Sequence, residues 1–145
     1  MTPIEVVKNW LLQVQKPRKE LNGKSVCPFA RMPNIVVVEK LSIDNVKPAA
    51  HALTIYVEDS INSSFDDINS ICMQLKATHD SCVFLPDHPQ KKNYINGVET
   101  GNGHLPLIIV QNKKELLGAR RSLEKTDYYD KWDKDYLDEI KSYGD

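Results

Sequence analysis

Cysteine is scarce in this chain and badly spaced for cross-linking. The three residues, Cys27, Cys72 and Cys82, form no C-x-x-C pair and are odd in number, so neither a disulfide framework nor a zinc ribbon is indicated. An excess of one charge is lacking too: 19 Lys and Arg face 20 Asp and Glu, for a net charge of −1. That balance leaves no basic face to gather nucleic acid or an anionic membrane surface. No apolar run approaches the roughly 20 residues needed to cross a bilayer. The segment Met1 to Glu5 lacks the basic and apolar regions of a signal peptide, so the expectation is a cytoplasmic protein. Only Arg18, Arg31, Arg120 and Arg121 are arginine, and with abundant Lys, Asn and Ile the usage is that of an AT-rich genome, bacterial or phage. Internal repeats and low-complexity segments are absent as well.

What is present fits one domain spanning 1–145, since 145 residues at 41% hydrophobic content suffice for a single core. Thr2-Pro3-Ile4-Glu5 has the form of a capping box with proline at the first helical position, and Ile4, Val7, Leu11 and Val14 follow at helical spacing. Pro17 stops or kinks that helix, and Asn22-Gly23 ends a further turn. Ile35 to Leu41 and Leu53 to Val57 read as strands expected to pair antiparallel. Ser64 and Asp67 cap a helix whose buried stripe is expected to be Phe65, Ile68, Ile71, Cys72 and Leu75. Cys82 to Leu85 and Leu107 to Val110 are two more strands, and Asn112 with Glu115 opens a third helix. Tyr129, Trp132, Tyr136, Ile140 and Tyr143 form one stripe of a final amphipathic helix. The order α-β-β-α-β-β-α-α predicts an α+β fold: an antiparallel four-stranded sheet packed with helices on one face, a ferredoxin-like sandwich.

Two segments carry chemistry. In Ser25-Val26-Cys27-Pro28-Phe29-Ala30-Arg31, proline is suited to the first position of a helix, which makes Cys27 a candidate N-cap. A thiol there lies beside unpaired backbone N–H groups and the positive end of a helix dipole, both of which favour thiolate. Cys72 and Cys82, by contrast, fall on apolar faces and read as core. The second segment is Pro86 to Pro106, long for a connection inside a compact domain and therefore a functional candidate. It holds His88 and His104 near its two ends, with Asn93 and Tyr94 between them. The histidines are candidates for general base or ligand toward Cys27, and Arg31 for anchoring an anion by a bidentate contact. Asn93 and Tyr94 are candidate substrate-binding residues.

These residues also carry a resemblance. Trp10-Leu11 in the first helix, Cys27-Pro28-Phe29-Ala30, the segment Phe84-Leu85-Pro86-Asp87-His88-Pro89 and the proline-led strand at Leu105-Pro106-Leu107-Ile108 resemble a family of uncharacterised bacterial proteins. That family, a domain of unknown function, is marked by a leucine-rich first helix leading into Cys-Pro-Phe-Ala. The resemblance implies the fold and a site at Cys27 without a reaction. Two departures stand out. Lys16 to Lys24 is extra material, and the family's arginine-containing approach to the last strand reads here Gly101-Asn102-Gly103-His104-Leu105-Pro106.

The leading expectation is thiol-dependent chemistry on a small molecule in a pocket made by Cys27 and the 86–106 loop, with Cys27, His88 and His104 catalytic and Arg31, Tyr94 and Asn93 binding substrate. A second is a non-enzymatic binding or regulatory module that uses the aromatic C-terminal helix, which would also serve a homo-oligomer. A third is a metal site of Cys27, His88 and His104, which lacks any local pair of ligands to anchor it. The sequence assigns no metal and no cofactor.

Overall fold

Thr2 Oγ1 accepts the Glu5 N–H at 3.2 Å and Glu5 Oε2 accepts the Thr2 N–H at 3.2 Å, closing the expected capping box at the start of α1 (Pro3–Val14). The computed structural model describes residues 1–27, 35–48, 53–58 and 62–144. Helix α1 buries Val7, Leu11 and Val14 and ends before Pro17. A 3-10 turn (Lys19–Leu21) then stops at Asn22 and Gly23, whose φ angles of 56° and 79° need the left-handed tolerance of those two residue types.

Four strands make the main sheet: β1 (Ile35–Val38), β2 (Leu53–Val57), β3 (Cys82–Asp87) and β6 (Leu107–Asn112), in the order β1-β2-β6-β3. Helix α2 (Phe65–Thr78) lies between β2 and β3 in sequence, and its expected cap is formed by Ser64 and Asp67. The sheet is mixed, which corrects the wholly antiparallel expectation. β1 runs parallel to β2, with Ile35 beside Leu53, while β6 runs antiparallel to both β2 and β3. Parallel neighbours need a crossover rather than a tight turn. Residues 39–48, after β1, pack against the sheet: Val46 is buried and the Lys47 N–H donates to the Tyr56 hydroxyl at 3.1 Å. β2 and β3 are parallel to each other across the intervening β6, and α2 is their crossover.

Side chains alternate along β2 and β6, so both faces carry apolar residues and both are covered. Ile55, Val57 and Leu107 pack with Val7, Leu11 and Val14 of α1. Tyr56, Ile108 and Val110 pack with Ile68, Cys72 and Leu75 of α2. Helices therefore lie on two faces instead of one, and the ferredoxin-like sandwich is replaced by an α+β arrangement of three layers.

The 86–106 segment is not a bare loop. It contains a hairpin of β4 (Tyr94–Ile95) and β5 (Val98–Glu99), turned at Asn96 and Gly97 with φ of 48° and 84°. Two successive positive φ values are what a two-residue type I′ hairpin requires. Ile95 is fully buried and Val98 nearly so, both in the α1-side core. Burying a side chain such as Ile95 stabilises by about 1.5 to 3 kcal/mol, so the hairpin belongs to the core.

After β6, Asn112 Oδ1 accepts the Glu115 N–H at 3.0 Å and opens α3 (Lys113–Glu124). The predicted single C-terminal helix is divided. A 3-10 turn (Tyr128–Lys131) precedes an extended Trp132, and Asp133 caps α4 (Lys134–Ser142) by accepting the Asp135 N–H at 3.0 Å. Aspartate favours a cap over a helix interior, which explains the break.

Candidate functional site

The α1-side face of the sheet does not close completely. Between it and the C-terminal segment lies a cavity of about 150 Å³. Ile55, Leu85, Ile109 and Gln111 from β2, β3 and β6 line it from the sheet, and Trp10 and Leu11 from α1 form a side. Cys27 joins it from the end of the stretch after the 3-10 turn. Seven residues of the 86–106 segment complete that side: Pro86, Asp87, Lys91, Asn93, Ile95, Thr100 and Gly101.

Aromatic rings form the opposite wall. Trp132 stacks on Tyr136 with centroids 5.4 Å apart and planes 12° from parallel, and Tyr129 meets Trp132 edge-on at 5.1 Å. Thr100 ties this wall to the rest. Its Oγ1 is 3.1 Å from the Tyr136 hydroxyl, and its carbonyl accepts the Trp10 Nε1–H at 3.2 Å. Burial pushes the Tyr136 phenol up to about 12, and the negative charges of Asp87, Glu139 and ionised Cys27 push the same way. At one side of the cavity Lys91 pairs with Glu139 and sets its ammonium 4.1 Å from the Phe65 ring centroid.

Asp87 is a titratable group that sequence reasoning passed over in favour of its neighbour His88. Its Oδ2 accepts the Asn102 backbone N–H at 3.1 Å and the Asn102 Nδ2 at 2.7 Å. Burial raises its pKa above the usual carboxylate value, against the downward pull of the two Asn102 hydrogen bonds and of His88. A Cβ at Gly101 would stand 2.6 Å from Asp87 Oδ1, so glycine is what lets the loop approach the carboxyl so closely. Asn102 fixes the return of the loop, its Oδ1 accepting the N–H groups of His104 and Leu105 at 3.0 and 2.8 Å. The signal in the sequence was Gly101-Asn102-Gly103 placed some fifteen residues after Asp87, a pattern with no fixed meaning until the loop closes.

The predicted site residues separate. Cys27 is half-buried in the cavity wall, with its N–H donating to the Val14 carbonyl at 3.0 Å. Its expected N-cap role depends on Pro28 and the residues after it. Those residues, with Arg31, lie outside the described residues. His88 is 2% exposed and is not in the cavity wall. Its Nε2 donates to the Ser63 carbonyl at 2.6 Å and its Nδ1 accepts the Gln90 N–H at 3.0 Å, so both ring nitrogens are engaged in holding the loop. His104 is exposed and borders a different groove, beside Met1 and Pro3. Asn93 does line the cavity, and its carbonyl accepts the Thr100 N–H and Oγ1–H at 3.0 and 3.2 Å. Tyr94 is 48% exposed and does not line it. Among the described residues no three His, Cys, Asp or Glu side chains stand close enough together to hold a metal ion. No helix among them is long and apolar enough to cross a membrane.

Comparison of the chain with protein-family models, curated proteins and solved structures finds no match.

Proposed function

We propose that the protein binds a compact, largely apolar small molecule between its sheet and its C-terminal aromatic segment, and that the Cys27 thiol is the reactive group presented to it. One observation carries this reading: a single cavity is lined both by Cys27 and by seven residues of the 86–106 segment. Its size supports a ligand of about one ring, since an apolar cavity of about 150 Å³ in another protein holds benzene. Asp87 replaces the two histidines as the titratable partner, because it lines the cavity and they do not. A perturbed carboxyl lining the same concave, mostly apolar site as a thiol is a pattern that functional sites favour. The resemblance to the Cys-Pro-Phe-Ala family adds only the position of the thiol.

The rival reading, a docking module built on the aromatic C-terminal segment, is disfavoured by the direction of its rings. Trp132 and Tyr136 pack inward on the α1-side core.

Brief alkylation with iodoacetamide from pH 6 to 9, followed by mass mapping, tests the reading. Cys27 is expected to label well before Cys72 and Cys82, which are 2% and 4% exposed. Burial also lifts the Cys72 thiol to about 12, leaving it almost no thiolate. Cys27 that stays unmodified until denaturant is added would remove the basis for a reactive thiol.

A further inference from the structure

Resting on that pocket, we infer that the ligand carries an amide-like edge, a hydrogen-bond donor and acceptor side by side, and that Gln111 reads it. Gln111 is 8% exposed and occupies the third inward position of β6 after Leu107 and Ile109. Its side chain lies in the cavity wall, where it makes no hydrogen bond with any described residue. Its amide faces the open cavity, where a bound group that supplies both a donor and an acceptor would satisfy it. Ile109, two residues earlier on the strand, and Leu116 line the same cavity with aliphatic side chains. Leucine or methionine there would fill the space without an amide to satisfy.

A primary amide offers N–H donors and a carbonyl acceptor in one plane. Its full complement is a group with one of each, so a ligand carboxamide or lactam satisfies it and a bare hydrocarbon does not. The stacked Trp132 and Tyr136 rings and the edge-on Tyr129 favour a flat body on that group. The ligand class is therefore a neutral, planar aromatic amide of about one ring.

The test compares three probes by titration calorimetry or protein-observed NMR. Benzamide carries donor and acceptor, acetophenone keeps the carbonyl and replaces the NH₂ by methyl, and toluene has neither. Benzamide is expected to bind the wild-type protein at least about tenfold more tightly than acetophenone, because a site built to hydrogen-bond a group discriminates against its absence. In Gln111→Leu the preference should vanish while toluene binding is retained or improved. Equal affinity of benzamide and acetophenone for the wild-type protein overturns the inference and leaves the pocket standing. Binding of none of the three overturns both. The wild-type ranking decides the matter even if Gln111→Leu folds poorly, and Gln111→Met, close in volume, serves as the second variant.

Discussion

The Tyr128 hydroxyl donates a 2.7 Å hydrogen bond to the Val26 carbonyl, joining positions 102 residues apart in sequence. Both residues line the cavity, and Val26 immediately precedes Cys27. The thiol is thereby placed by the C-terminal segment as much as by its own: the Cys27 N–H is fixed on α1 through Val14 and the preceding carbonyl on Tyr128. The ring of Tyr128 is also held, with Tyr129 edge-on at 4.8 Å and Trp132 at 5.7 Å.

Tyr128→Phe keeps the ring and deletes that bond, leaving the Val26 carbonyl without its hydroxyl donor. The expected loss of stability is about 1 to 3 kcal/mol, the cost of an unsatisfied buried group. Urea denaturation measures it, and the same variant should alkylate faster at Cys27 under native conditions because the 26–27 backbone is freed. Unchanged stability together with an unchanged labelling rate would show that the C-terminal segment does not position the thiol.

Asp87 sets a pH dependence whose sign follows from its raised pKa. A carboxyl with a higher pKa folded than unfolded binds its proton more readily in the native state, so native stability is fully present below the unfolded value near 3.8 and is lost as pH rises through the folded one. Asp87→Asn removes the titration and keeps an oxygen to accept from Asn102. Relative to the wild type, the variant should gain in Tm as pH is raised from 4 to 8. Thermal melts across that range check it, and parallel pH profiles for the two proteins would contradict the burial of Asp87.

His88 should behave as a structural residue. His88→Ala strips the Ser63 carbonyl and the Gln90 N–H of their partners, and a loss of about 1 to 3 kcal/mol is expected from the unmet groups. The pH profile of Cys27 alkylation should keep its midpoint, since the imidazole does not line the cavity. A shifted midpoint, measured at a temperature where the variant is still folded, would restore the histidine as the partner of the thiol.

Much of the local structure was legible in the chain. Thr2-Pro3-Ile4-Glu5 and Ser64 with Asp67 are caps whose donors and acceptors sit three residues apart, so no distant contact is needed to form them. Pairing of strands is a different matter. β1 and β2 carry the same β-branched pattern whether they run parallel or antiparallel, and what distinguishes the two is where the chain after β1 finds burial, with Val46 packed in the core beside Tyr56. Asn96-Gly97 was a hairpin signal inside a segment otherwise read as loop, and what gives the hairpin its weight is the burial of Ile95 and Val98 against α1.

The site divides along the same line. Sequence by itself marked Cys27 and the 86–106 segment, because an unusual Cys-Pro pair and an overlong polar stretch are properties of consecutive residues. It also shows three cysteines without a C-x-x-C pair, a near-balanced charge and no apolar run of about 20 residues. Tertiary structure decided which side chains meet. His88 was turned onto Ser63 and Gln90, His104 went to another groove, and Asp87, Gln111 and Tyr136 were brought from three elements to the wall that Cys27 shares. Hydrogen bonds and burial set these partners across long stretches of chain, and such contacts leave no periodic trace in the sequence that encodes them.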